Sequence, residues 1–159
     1  MSQQHPSTPA PFVLVPPELF SIVTDLSPSP IYRCSSVSPE NLTFLKTFQS
    51  PPLFSPSPQQ TNVTTSLSLK TIITLNVETP SKPLRALSEE DGITLRHIGL
   101  WQTSTWETFQ PLSKGAVERT LQYLTDQHLP VLIVDGGHGT FVGVLRKLMG
   151  WGYTGILLE

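Results

Sequence analysis

An α/β fold is predicted for this chain of 159 residues, with a twisted, mostly parallel sheet flanked by helices. Three observations predict it. Short runs rich in β-branched residues occur at 69–75, 93–98 and 131–134, each the length of a buried strand. Between and after them lie segments whose apolar residues recur every three or four positions, the spacing of an amphipathic helix. A polar, glycine-rich turn, Asp135 to Thr140, joins the last run to the last long helical segment. Strands that alternate with helices require crossover connections, and these place helices on both faces of a parallel sheet.

Residues 1–11 are polar and contain proline, as a disordered tail would. Residues 12–15 and 20–23, separated by Pro16-Pro17, supply a first strand. Pro28 and Pro30 interrupt the pattern, and Ile31-Tyr32-Arg33 restarts it as a second. Ser38 followed by Pro39 is a helix start, a capping side chain before a proline at the first helical position. Leu42, Leu45 and Phe48 then give that helix one apolar face.

Residues 49–66 hold Pro51, Pro52, Pro56 and Pro58 among Ser, Gln and Thr without hydrophobic periodicity. This is the composition of a disordered surface loop. An insertion of this kind is tolerable because loop-closure entropy grows slowly with length. Ser55-Pro56 and Ser57-Pro58 could accept phosphate, although a solvated spacer explains the composition as well. Residues 82–90 form a helix that ends at Gly92, and 93–98 form a strand. A loop covers 101–111. Ser113 caps a helix running to about residue 127, with Val117, Leu121 and Leu124 on its inner face. After the central strand and its turn, Phe141, Val144, Leu145 and Leu148 mark a further helix, and 153–159 begin another.

Composition narrows the function. The formal net charge is -2, and this argues against a broad basic surface for nucleic acid. The longest apolar runs are far below the ~20 residues of a membrane-spanning helix. No basic stretch followed by an apolar core opens the chain, so a cytoplasmic protein is expected. Cys34 is the one cysteine, which excludes an intrachain disulfide. Nothing around it beyond Arg33 would make its thiol reactive. No His, Cys and Asp cluster has metal-ligand spacing, so no metal and no cofactor are expected. Trp101, Trp106 and Trp151 read as packing residues and His97 as a structural group.

The turn is the candidate site. A glycine-rich loop between a strand and a helix aims backbone N–H groups and the positive end of the helix dipole at its occupant, often a phosphate. Its residues are Val134, Asp135, Gly136, Gly137, His138, Gly139 and Thr140. Asp135 is readable as a cap for the following turn or as a carboxylate nucleophile. His138 is readable as an anion contact or as an exposed loop residue.

Residues 130–133 and 142–151 closely resemble the flanks of the active-site loop in the atypical dual-specificity phosphatases of plants and fungi. That group belongs to the tyrosine phosphatases and includes the fungal oxidant-induced cell-cycle arrest proteins. Val15-Pro16-Pro17 through Phe20, Ile31-Tyr32-Arg33, Asn41 with Phe44-Leu45-Lys46, Lys70-Thr71-Ile72-Ile73, Glu78 with Pro80, and His97-Ile98-Gly99-Leu100 are similar to further family segments. The resemblance implies the phosphatase fold over 12–159 apart from the 49–66 insertion. In the family the loop reads His-Cys-x5-Arg. Here Val134 stands at the His and Asp135 at the Cys, the loop is shorter, and no Arg occurs between Pro130 and Arg146. Glu107 is placed near the family's general acid.

An added carboxylate ~4 Å from a phosphate repels it by ~1 to 4 kcal/mol. A helix N-terminus returns only ~0.3 to 2 kcal/mol. The resemblance therefore leads to the expectation of a degenerate, catalytically inactive member, a pseudophosphatase, with no catalytic residue in the loop. Such a chain would act as a regulatory or interaction subunit with related phosphatase-like proteins, and would bind phosphate weakly at most. Apolar surface near Leu145, Leu148 and Trp151 would be its contact. Two alternatives accompany this expectation: a phosphatase of altered mechanism on phosphotyrosine or inositol pyrophosphate, and a non-catalytic sensor of a phosphate ligand.

Overall fold

The computed structural model describes residues 14–24, 30–47, 69–99, 113–124, 127–136 and 139–157. The expected tail at 1–11, the insertion at 49–66 and the loop at 101–111 lie outside them, as do Phe12, Phe48, Trp101, Trp106, Glu107, Gly137 and His138. The described elements are β1 (Ser21–Thr24), β2 (Ile31–Cys34), α1 (Asn41–Thr47), β3 (Thr71–Thr74), α2 (Lys82–Glu90), β4 (Thr94–His97), α3 (Lys114–Gln122), β5 (Val131–Val134), α4 (Thr140–Leu148) and α5 (Tyr153–Leu157).

The sheet order is β1-β2-β5-β3-β4. Only β1 runs antiparallel to its neighbour; the other three pairs are parallel. β5 is central, with Ile31 opposite Val131 on one side and Thr71 opposite Val131 on the other. All four of its residues are buried, as are all four of β3, which is why both read as continuous runs rather than alternating ones.

Alternate side chains leave opposite faces of a strand, and each face has its own core. On one, Ile31, Ile73, Val131 and Ile133 pack with Ala116 of α3 and with Phe141, Val142 and Leu145 of α4. On the other, Tyr32, Cys34, Ile72, Leu132 and Val134 pack with Leu45 of α1 and with Leu84 and Leu87 of α2. Each fully buried aliphatic side chain contributes about 1.5–3 kcal/mol. The three-layer architecture is the predicted one.

Boundaries differ where local chemistry overrides periodicity. Residues 14 and 15 are not strand; Pro16 and Pro17 supply no ladder N–H. Asn41 Nδ2 instead donates to the carbonyls of Val15 (3.2 Å) and Pro16 (3.1 Å), tying this segment to α1. α1 starts two residues beyond Pro39, because the Asn41 carboxamide turns back to accept from the N–H and hydroxyl of Ser38, both at 2.8 Å. Ser81 and Ser113 cap α2 and α3 through the N–H groups of Leu84 and Ala116. α3 ends at Gln122 rather than near 127, and its most buried residues are Ala116 and Thr120. The Thr120 hydroxyl is satisfied by the Ala116 carbonyl at 2.8 Å, while Val117, Leu121 and Leu124 pack partly buried beside it.

Candidate functional site

The ladder between β2 and β5 continues past the strands. The Asp135 N–H donates to the Cys34 carbonyl (3.1 Å) and the Gly136 N–H to the Ser35 carbonyl (3.0 Å). These two amides are turned towards β2 and extend its pairing with β5 into the turn. Gly136 and Gly139 take φ of +70° and +61°, a conformation in which side chains with a Cβ are strained. Gly139 is the N-cap of α4 and, being glycine, gives that helix no side-chain capping bond. The N-cap position of α4 falls to Gly139 and not to Asp135.

Asp135 lies beside Arg33 instead. Arg33 Nη2 is 3.9 Å from Asp135 Oδ2, and the two side chains are 12% and 3% exposed. Arg33 sits two residues after Ile31 on β2 and so shares its face, under α4. Its Nη1 and Nη2 are 3.3 and 3.4 Å from where a Cβ on Gly139 would stand. Glycine at 139 thus serves twice, for the left-handed backbone and for the approach of the guanidinium. Arg33 Nε is buried without a hydrogen-bond partner among the described residues.

The charges leave a mark on their neighbours. Burial, then the Asp135 carboxylate, push the Cys34 thiol up to about 12 against the opposing pull of Arg33. Cys34 is fully buried and protonated at neutral pH, as the sequence suggested. Arg146 of α4 is also buried, at 3% exposure, and its pKa is lowered first by desolvation and then by the charge of Arg33. Its Cζ lies 5.0 Å from the centre of the Trp151 ring.

The structure thus brings Asp135, Gly136, Gly139 and Thr140 together at the carboxyl end of β5. It adds Arg33, which no contiguous motif includes. One signal for it was present: a charged residue in Ile31-Tyr32-Arg33-Cys34, in phase with Ile31, is placed against a helix rather than in solvent. His97 stands elsewhere, on the edge strand β4, with Nδ1 2.9 Å from the Thr74 hydroxyl. Among the described residues, no three His, Cys, Asp or Glu side chains are placed to hold a metal ion. No helix among them is long and apolar enough to cross a membrane.

The sequence profile of the tyrosine phosphatase family matches residues 51–159. The chain belongs to that family. Among its relatives, the inositol diphosphatase DSP3 of Arabidopsis thaliana is 34% identical over 92% of this chain and 63% of its own length. The Yarrowia lipolytica protein named "Putative tyrosine-protein phosphatase OCA1" is 27% identical over 97% of this chain and 56% of its own length. The chain therefore spans less than two thirds of these relatives. The Siw14 catalytic core superposes with a TM-score of 0.68 at 26% identity, covering 92% of this chain and 75% of that one. The core catalytic domain of the PP-IP phosphatase SIW14 from S. cerevisiae, in complex with citrate, gives 0.67, also at 26%. The mixed sheet flanked by helices is the fold of that phosphatase core.

These likenesses correct one expectation. The chain was expected not to be an enzyme, yet the family members it matches include an inositol diphosphatase and a PP-IP phosphatase. No feature of the described site shows loss of activity. The premise of the expectation changes as well. It rested on the missing cysteine, the shorter loop and the lack of an arginine within the turn, and Arg33, which reaches the turn from β2, bears on the last of these.

Proposed function

We propose that this chain is a phosphatase of altered mechanism, acting on the diphosphate of an inositol pyrophosphate or on a phosphotyrosine. The observation that carries the reading is the Arg33 guanidinium, held against Gly139 beside Asp135 at the start of α4, whose N-cap residue is a glycine. A phosphoryl group docked there would meet a guanidinium, which matches two phosphate oxygens in one plane, and the first-turn N–H groups of the helix. The kinship with an inositol diphosphatase supports the substrate class.

Asp135 is the group on which turnover depends. It stands where the resemblance places the family's cysteine, and a carboxylate oxygen can attack phosphorus in place of sulfur. The attack expels the leaving-group oxygen and forms an aspartyl phosphate; water then hydrolyses that acyl phosphate, releasing inorganic phosphate and restoring the carboxylate. The repulsion between Asp135 and an incoming phosphate is offset by Arg33, whose charge lies within 3.9 Å of the carboxylate.

Phosphate release from a diphosphoinositol polyphosphate and from a phosphotyrosine peptide, with and without Mg²⁺, tests the reading. The expected result is release from one of them that is lost in Asp135→Ala, with a hydroxylamine-labile phosphoenzyme in the active chain. No release from either substrate, or an Asp135→Ala protein as active as the parent, would sink it.

A partnership with a related phosphatase-like chain is proposed alongside. Leu148, Met149, Trp151 and Tyr153 are exposed together where α4 meets α5, which supports it, whereas Leu145 is buried in the core and takes no part. Co-expression with a full-length OCA1-type relative should yield a complex; two separately eluting proteins would remove the idea.

A further inference from the structure

Arg146 is two turns along α4 from Gly139. At 3.6 residues per turn, the two positions differ by only about 20° around the helix axis, so they lie on one stripe. Helical side chains lean towards the N-terminus of their helix, which directs Arg146 back along that stripe, towards the end where the Arg33 guanidinium meets Gly139. The side chain is buried, and its guanidinium stacks on the ring of Trp151, whose backbone N–H donates to the Arg146 carbonyl at 3.0 Å. The lowered pKa of Arg146, to which the charge of Arg33 contributes, agrees with two cations sharing one region. The Asp135 carboxylate lies 3.9 Å from the first of these guanidinia, that of Arg33.

We propose that Arg146, braced by Trp151, is a positioning residue that supplies a second positive charge to the anion site and favours its occupation by phosphate. The proposal rests on the phosphatase reading above and names a residue outside the turn. A unit charge about one helical turn from a bound anion changes its affinity by roughly four-fold at the dielectric of water and by on the order of a hundred-fold at that of a protein surface. Arg146→Met removes the charge and keeps the bulk, whereas Arg146→Lys keeps the charge.

Inorganic phosphate, titrated by ligand-induced thermal stabilisation, is the probe, and it reads binding without turnover. Arg146→Met should bind phosphate at least about four-fold more weakly, with KM raised more than kcat is lowered, and Arg146→Lys should recover most of the loss. If Arg146→Met does not fold, a Trp101→Phe/Trp106→Phe chain makes Trp151 the sole indole, and phosphate should shift its emission. A parent that turns over substrate while Arg146→Met binds phosphate unchanged, or a Trp151 emission indifferent to phosphate, overturns the assignment. A parent that neither binds phosphate nor releases it removes the phosphatase reading first, and this one with it.

Discussion

The contact between Arg33 and Asp135 is the sharpest place to test the site as a physical object. At 3.9 Å and an effective dielectric near 20, the two charges attract by about 4 kcal/mol. Two features reduce what a mutation would read. Arg33 keeps part of its surface in water, and Asp135 has further interactions in the fold. A coupling of about 1–3 kcal/mol is therefore expected from a double-mutant cycle of Arg33→Met and Asp135→Asn. Arg33→Met alone should cost about 3 kcal/mol, since it removes a positive charge from beside a buried carboxylate. For a domain of this size that lowers Tm by about 6–12 °C. The double variant should recover part of the loss, because neither charge is then left alone. Urea unfolding at neutral pH reads all four corners of the cycle. A coupling below about 0.5 kcal/mol would refute the argument that these charges are mutually compensating, and with it the account of why Arg33 lies beneath the turn.

Two further outcomes follow from the same geometry. Gly139→Ala should lose about 1–2 kcal/mol from the left-handed backbone alone, and its methyl group would press on the Arg33 guanidinium at 3.3 Å. Weaker phosphate binding should accompany the loss of stability in the same thermal assay, and a drop in stability with unchanged binding would show that the guanidinium gives way freely. Cys34 has its thiol raised to about 12 in the fold, so the native state holds this proton more tightly than the unfolded chain does. Its contribution to stability is complete below an unfolded pKa near 8.5 and is lost as pH rises from there towards 12. Chemical denaturation across that window should show a slope of up to about 1.4 kcal/mol per pH unit that Cys34→Ala abolishes, and the native thiol should resist alkylation at pH 8.

The fold was largely legible in the linear chain because its signals are local. Val131 to Val134 and Thr71 to Thr74 are buried on both faces and announce themselves as apolar runs, and Ser113 occupies the cap that its residue type assigns to it. The errors fell where a distant partner intervenes. Asn41 turns back on Ser38 and also reaches Val15, so α1 begins later than Pro39 implied. Helical periodicity marked Leu145 and Leu148 as one apolar face and passed over Arg146 between them. Packing instead buried Leu145 and Arg146 and left Leu148 in solvent.

The candidate site was half readable. Asp135, Gly136, Gly139 and Thr140 are contiguous, and a glycine-rich strand-to-helix turn is recognisable from residue types alone, because chain connectivity places it at the end of β5 whatever the rest does. Arg33 was out of reach of that reasoning. It stands about a hundred positions earlier, and its meeting with Gly139 depends on the pairing of β2 alongside β5, a choice made by cross-strand burial and not by any local preference. Backbone propensity and periodicity act between near neighbours and were sufficient for the architecture. The electrostatic character of the turn is set by charges that only sheet assembly brings within a few ångströms, since Coulomb forces depend on separation in space and not along the chain.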